Sequence, residues 1–508
     1  MSKEGVSSSG DSNKKRLVLS TGAALLNQII TGIVGLILPV YIISTYGSEV
    51  NGLIASITQF LAVISFMDMG IGAVVQSSLY KPLADNDVNQ FSQVVVSARR
   101  FYRKLAAIFV IYAVGLAIVY PFTADKFDYL FTMAMVLILS IGNFAQFFFG
   151  ATSQAIVNAD QRSYVQHGLH AFSIVLNLFV SIILIKLGAS IHAVKLFATA
   201  VFLIRPLGVW FYVRQKYTID NNVEIVGEPI KQKRNGFLQH LSSVALDNTH
   251  VMVLTLFSTM ENISIYSVYY SVLRLVKTTF ESTVNGLQAL MGNLWARGDR
   301  KNIENGFGAI EWGIHSIVVF VFSLVGVLLI PFVMLYTRDI TDANYIQPVF
   351  GWLITAAVAV QCLRLPYMIM VKAAGHYKET QNSALIEMCL NIATCVLFVK
   401  PFGLSGIAAG TLIAMLYRSV YLAVYVHRSL LNRPLKLYAK QLAVDVMEIL
   451  VMLAISSLVP ISARNYFSWI LSAVSIAVLC GGCMLAINMI FMRTPIKKVL
   501  QILRKKAE

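Results

Sequence analysis

Apolar stretches of roughly 18 or more residues recur along this 508-residue chain, separated by short polar intervals. A helix needs about 20 apolar residues to cross about 30 Å of hydrocarbon, so each stretch is a candidate span. The pattern predicts fourteen. The first is residues 17–45, bent at Pro39, and a polar turn, YGSEVNG, leads into the second. Spans 3–6 fall near 105–122, 129–157, 164–187 and 190–212. The longest polar interval follows and contains Pro229. Beyond it, spans 7–14 fall near 238–259, 263–294, 305–336, 346–374, 381–399, 404–427, 438–460 and 467–492. The segment VVVSARRFYRK, ahead of span 3, reads as an amphipathic stretch lying along the membrane surface.

Composition agrees with that reading. Hydrophobic residues make up 57% of the chain and charged residues 13%, and the mean hydropathy is +0.69. The net charge of +16 would point to nucleic acid in a soluble domain. Here the lysines and arginines lie in the short intervals between apolar runs, so no nucleic-acid partner is expected. With both termini cytoplasmic, about thirty of the 41 fall inside, and five fall outside: Lys126, Lys186, Arg338, Lys400 and Arg464. The five cysteines all lie within predicted spans, which argues against a disulfide framework or a zinc site. The Cys480–Cys483 pair reads as helix packing.

A weak repeat at an offset of 212–215 residues organises the spans. It sets Glu49 against Glu261, Asp68 against Glu281, Ala84–Asp85 against Gly298–Asp299, Asn177 against Asn391 and Arg205 against Arg418. Six spans is an even number, so the second copy enters from the same side as the first. The expected fold is an all-α polytopic membrane protein with two six-helix lobes, related by a pseudo-two-fold along the membrane normal, plus two extra C-terminal helices. Residues 1–16 read as a cytoplasmic tail, 17–212 as the N-lobe, 213–237 as a cytoplasmic linker and 238–428 as the C-lobe. Residues 429–492 hold spans 13 and 14, and 493–508 form a basic tail that can rest on anionic lipid.

That geometry places a cavity between the lobes, and ionisable residues inside apolar spans are the candidates to line it. Arg274, Lys277 and Glu281 recur at three- and four-residue spacing, on one face of span 8. Arg205, Arg364 and Arg418 also lie inside apolar spans. Guanidinium forks bind phosphate oxygens bidentately and stay charged, so these arginines with Lys277 suit a diphosphate headgroup. For Arg205 and Arg418 the alternative is snorkelling to the interface; for Lys277 and Glu281 it is an intrahelical ion pair. Asp247 and His250 form a polar knot in span 7 that can bind a proton or sodium ion and couple a gradient, or Asp247 can neutralise Arg274. Asp68 and Glu281 join them as coupling or charge-pairing candidates. No catalytic residue, metal or cofactor is expected. The short external loops leave no room for a polymerase or glycosyltransferase site.

The turn YGSEVNG, DMGIG in span 2, the loop KPLADND, the turn GHYKET and FGLSGIAAG at the start of span 12 resemble the polysaccharide-transporter family of lipid-linked oligosaccharide flippases, the Wzx-type or O-antigen flippases. That family falls within the multidrug, oligosaccharidyl-lipid and polysaccharide exporter superfamily. The resemblance implies alternating-access transport of a polyprenyl-diphosphate-linked glycan from the inner to the outer leaflet of a bacterial plasma membrane. It also implies membrane lipid and polysaccharide polymerase machinery as partners. A lipid II flippase and a multidrug or cation antiporter of the same superfamily are the alternatives.

Overall fold

The computed structural model describes residues 9–225, 237–493 and 496, all built around α-helix. The side chains of Asp68 and Asp247 lie outside the described residues, so the coupling roles expected of them have no structural counterpart here.

Each predicted span is a helical rod. Span 1 is α1 (Ser9–Tyr46), a single helix with Pro39 inside it that begins within the expected tail. Span 2 is α2 (Ser48–Ala62) and α3 (Phe66–Asp85), joined by a 3₁₀ turn over Val63–Ser65. Span 3 is α4 (Val88–Val119). Span 4 is α5 (Tyr129–Ala145) and α6 (Ala151–Ala159), joined by a π-helical turn over Gln146–Gly150. Span 5 is α7 (Tyr164–Lys186), and span 6 is α8 (Ile191–Phe202) with α9 (Ile204–Lys216). In the second half α10 (Phe237–Phe257), α11 (Met260–Ala296) and α12 (Arg300–Tyr336) are spans 7–9. Span 10 is α13 (Pro348–Leu363) with α14 (Leu365–Ala373). Spans 11 and 12 run together as α15 (Tyr377–Tyr425), folded sharply at Gly403 (φ 55°, ψ −130°). Finally, α16 (Leu435–Leu458) and α17 (Tyr466–Phe491) are spans 13 and 14.

Two breaks trace to proline. Pro206 and Pro366 each lie just past the start of a new helix, where the missing N–H and the ring clash end the preceding one. Arg205 immediately precedes the first proline, and Arg364 lies between α13 and α14. Breaks of this kind free backbone carbonyls inside a membrane span, and they are tolerated only where protein or water satisfies them.

One expectation is corrected. The basic segment before span 3 is not a separate surface-lying lead-in; it is the first half of one continuous helix. The 32 residues of α4 extend about 48 Å, well past the hydrocarbon thickness, so its arginine-bearing end projects to headgroup level.

The repeat appears in backbone detail, with one shift of register. Asn86 (φ 54°) and Gly298 (φ 69°) are left-handed residues placed immediately before Asp87 and Asp299. Those aspartates cap α4 and α12 by accepting from Gln90 N and Asn302 N. The equivalent pair is therefore Asn86–Asp87 with Gly298–Asp299, at the same offset as Glu49 and Glu261, rather than Ala84–Asp85.

The chain forms two compact units. The first runs to Val244 and includes Thr259–Ser264; the second is Ala245–Ser258 with Ile265 onward. In the first unit, α2 meets the first turn of α11 closely: a Cβ on Gly52 would fall 1.8 Å from the Met260 carbonyl oxygen. Asn51 Nδ2 donates to Ser264 Oγ at 2.8 Å beside it. In the second unit, a Cβ on Gly406 would stand 2.1 Å from the Phe398 carbonyl oxygen, where the two arms of α15 fold together. Lipid supplies little hydrophobic drive between helices, so small residues that admit close backbone approach set such contacts. Rows of exposed apolar side chains, such as Ile29 and Ile33 on α1 and Phe467 and Leu471 on α17, face outward. Among the described residues, ten helical stretches are long and apolar enough to cross a membrane, as a multi-pass membrane protein requires.

Gly52→Ala and Gly406→Ala should each destabilise the protein by about 1–3 kcal/mol through backbone overpacking. The check is the melting temperature in detergent; a Gly22→Ala control, with open space around its Cβ, should leave it unchanged.

Candidate functional site

The cationic residues predicted from sequence separate into three environments. Arg274 is exposed, and among the described residues no carboxylate lies within ion-pair distance of it. One turn on, Lys277 is buried, and its Nζ lies 3.8 Å from Glu281. The shared face expected on α11 is therefore split between open and buried surroundings, and the intrahelical pair is present.

Arg364 and Arg418 come together, on a residue the sequence reading missed. Glu387, 3% exposed on the first arm of α15, accepts from Arg364 Nη1 with one carboxylate oxygen. Its other oxygen lies 3.7 Å from Arg418 Nε. Arg418 also donates to the Thr380 carbonyl at 2.9 Å and to Ser383 Oγ. Two guanidiniums and one carboxylate leave one net positive charge in a buried trio. Arg364 Nε is buried without a hydrogen-bond partner among the described residues. Arg205 belongs to the first unit, and its Nε is likewise buried without a hydrogen-bond partner among the described residues.

His250 is buried, 3% exposed. Its Nδ1 is 2.9 Å from Tyr266 Oη, and its Nε2 is 2.9 Å from Thr411 Oγ1 and 3.4 Å from Asn391 Nδ2. These three partners are neutral hydrogen-bonding groups. Asn391 and its repeat mate Asn177 are both buried in the fifth span of their copies, and Asn177 accepts from Ser181 at 3.1 Å. This equivalent placement follows the sequence register.

A second buried polar cluster was also missed. Glu311 and His315 on α12 meet Tyr367 on α14, whose hydroxyl lies 3.0 Å from Glu311 and 3.2 Å from His315 Nε2. His315 Nδ1 is 2.6 Å from Asp445 on α16, which Gln441 also supports at 2.8 Å. Arg433 reaches the far oxygen of Glu311 at 3.1 Å. Glu448 accepts from Asn488 on α17, which in turn accepts from Trp312 at 2.6 Å. The polar links fix α16 and α17 to α12, while the apolar side of the same junction packs Cys480 with Leu328, Met452 and Ile476. A usable signal was present in the sequence: α12 carries Glu and His at four-residue spacing and α16 carries Asp and Glu at three, each inside an apolar run.

Lys126, in the loop before α5, holds the repeat-related pair Glu49 and Glu261, the latter at 3.2 Å. Hydrogen bonds to Glu49 and then Glu261 hold the Lys126 ammonium above the usual lysine pKa. At the other end of the first unit, Asp160 is bound by Arg162 at 2.7 Å, by Tyr217 at 2.5 Å and by Arg16 at 3.4 Å. Burial and the Asp160 carboxylate push the Tyr217 hydroxyl well above its ordinary range. The expected linker therefore begins as an ordered strap on this lobe, with Asp220 N donating to Ser92 Oγ at 3.0 Å.

With this geometry in hand, comparison with solved structures decides the architecture. A lipid II flippase MurJ in an inward closed conformation superposes with a TM-score of 0.69 at 15% identity, covering 94% of this chain and all of that one. The MATE multidrug transporter DinF-BH gives 0.58 at 14% identity, over 82% of this chain and 95% of that one. An inward-facing multidrug resistance MATE family transporter of the MOP superfamily gives 0.54 at 12%, over 81% and 97%. The chain has the fold of these transporters. No family model and no curated protein sequence matches it. The all-α polytopic fold expected from the sequence is thus present, and the Wzx-type resemblance rests on the sequence motifs.

Glu387→Ala should lower stability by about 3–5 kcal/mol, because it strands two buried guanidiniums. An unchanged melting temperature in detergent would contradict the trio as a neutralising unit.

Proposed function

We propose that this protein is a flippase that moves a polyprenyl-diphosphate-linked oligosaccharide from the inner to the outer leaflet of a bacterial plasma membrane, by alternating access of its two lobes, for surface or capsular polysaccharide assembly. The observation that carries the reading is the MurJ-like fold over 94% of the chain together with cationic residues inside its apolar helices. A fixed positive charge in a low-dielectric site attracts a diphosphate and repels a cationic drug, which favours a lipid-linked anion over the antiporter alternative.

In this reading Arg274 makes first contact with the diphosphate, since it is open and has no carboxylate partner among the described residues. Lys277 backs it one turn away. The Arg364–Glu387–Arg418 trio supplies a net positive charge that attracts the headgroup as conformations change, and Arg205 is the N-lobe counterpart. The glycan occupies the wet interior while the polyprenyl tail stays in lipid. His250 and Asp247, three residues before it in the sequence, are the groups through which a proton or sodium gradient would act, with Asp68 and Glu281 as further charge partners. The protein performs no bond chemistry in this scheme; polymerase machinery takes the delivered lipid-linked unit.

The second reading, a lipid II flippase, is favoured by the same neighbour, the lipid II flippase MurJ. Deleting the protein separates the two. Lipid-linked oligosaccharide building up in the cytoplasmic leaflet, with cell-wall synthesis intact, supports the glycan flippase. Cell-wall arrest supports lipid II transport, and drug sensitivity alone supports an antiporter. In the complemented strain, Arg274→Ala should cut surface polymer at least tenfold with normal protein levels in the membrane. Full polymer from that variant would overturn the role given to Arg274.

A further inference from the structure

The first unit contains a cavity of about 710 Å³ that the transport reading does not use. Its walls are the projecting end of α4, the π-helical turn between α5 and α6, the end of α9 and the first residues of the strap. Arg99, Arg100 and Arg103 enter it from α4, and Arg214 enters from α9. Phe148, brought in by the π turn, lies under Arg103 at 5.5 Å, and Trp210 lies under Arg214 at the same distance. Arg99 Nη1 is held by Asn221 Oδ1 at 2.9 Å.

The charges around this cavity are one-sided. Its lining includes no carboxylate, and none of the four arginines pairs with one among the described residues. Asp160, bonded by Tyr217 of the same lining, is already engaged by Arg162 and Arg16. Asp220 turns its carboxylate onto Asn222 N at 2.9 Å. Like charges four residues apart on a helix repel, as Arg99 and Arg103 do, and a fourth cation shares the same space. An anion bound in the middle relieves that repulsion. Three of the four side chains are exposed, so their forks are open to it.

Depth identifies the anion. Arg99 lies 20 residues before Val119, the end of α4, or about 30 Å along the helix axis. That is one hydrocarbon thickness, so the arginines stand at the level of lipid phosphates. The aromatic floor suits the glycerol and first methylenes below a phosphate. Basic pockets between spans at this level are suited to anionic headgroups.

We infer that this cavity is a binding site for an anionic phospholipid headgroup, with two-phosphate headgroups preferred because four guanidinium forks can engage two phosphates. The lipid bridges α4, the π turn and α9, and fastens the strap to the N-lobe. The site is separate from Arg274, and its occupancy does not depend on what the protein transports.

The test uses the purified, delipidated full-length protein, titrated with cardiolipin, phosphatidylglycerol, phosphatidylethanolamine and inorganic pyrophosphate and read by native mass spectrometry. Cardiolipin should bind at least tenfold more tightly than phosphatidylethanolamine, with phosphatidylglycerol between them. The combined variant Arg99→Gln/Arg103→Gln/Arg214→Gln should lose at least tenfold in cardiolipin affinity. The lysine version, Arg99→Lys/Arg103→Lys/Arg214→Lys, keeps the charge and should lose less. Removing as much charge elsewhere, with Arg297→Gln/Lys301→Gln/Lys436→Gln, should change nothing. If the glutamine triple does not fold, Arg103→Gln alone should lose about threefold. Equal cardiolipin affinity in the cavity variants would overturn the site, as would an equal loss in the control triple. Pyrophosphate binding with no lipid binding would overturn the lipid assignment.

Discussion

An ionised side chain inside hydrocarbon must find an opposite charge, hydrogen-bond partners or water, and this requirement governs how the protein is built. Removing a charge from water costs several kcal/mol even after relaxation. The second unit meets that cost twice, in different ways. Arg364 and Arg418 share Glu387, and Arg418 also donates to the Thr380 carbonyl, while Glu311, His315, Asp445 and Glu448 are tied through Tyr367, Arg433 and Asn488. Arg274 is the contrasting case. It stands open and without a carboxylate partner among the described residues, which is why the proposed function gives it the first contact with the diphosphate.

The two clusters sit on different kinds of joint. The first lies across the break between α13 and α14 and the two arms of α15, where the polypeptide already departs from straight helix. The second fixes α16 and α17 to α12. Polar ties of this sort add little net energy compared with apolar packing, but they admit only one register. For two helices that stand outside the two six-span copies, register is what the sequence must otherwise specify.

The spans were legible because hydrophobic length and charge asymmetry both report on the bilayer, and the two agree. The repeat was legible too, though it slipped at the loop before α4. There the aligned Asp85 proved to be two residues short of the true cap, because residue identity was matched without the left-handed residue that must precede it. Pro206 and Pro366 marked helix breaks that hydropathy averages over. Glu387 stayed hidden because a glutamate near the start of a span looks like an ordinary interfacial residue, and its role exists only once α13 and both arms of α15 meet. His250 stood out in sequence as part of a polar knot, and the fold adds what the sequence could not show, its hydrogen bonds to Tyr266 and Thr411 from two other helices. The cationic cavity of the first unit was visible as the string SARRFYRK, but Arg214 and the aromatic floor come from elements more than 40 residues away.

The central claim is that fixed cations inside this protein serve a diphosphate-bearing lipid. Its most direct test is transport in proteoliposomes, with a fluorescent polyprenyl-diphosphate sugar placed in one leaflet and its appearance in the other followed by a membrane-impermeant quencher. The account predicts translocation that depends on the protein, is lost with Arg274→Ala and is inhibited by excess unlabelled polyprenyl diphosphate. Translocation of a cationic dye in the same vesicles, with the diphosphate lipid left in place, would contradict it.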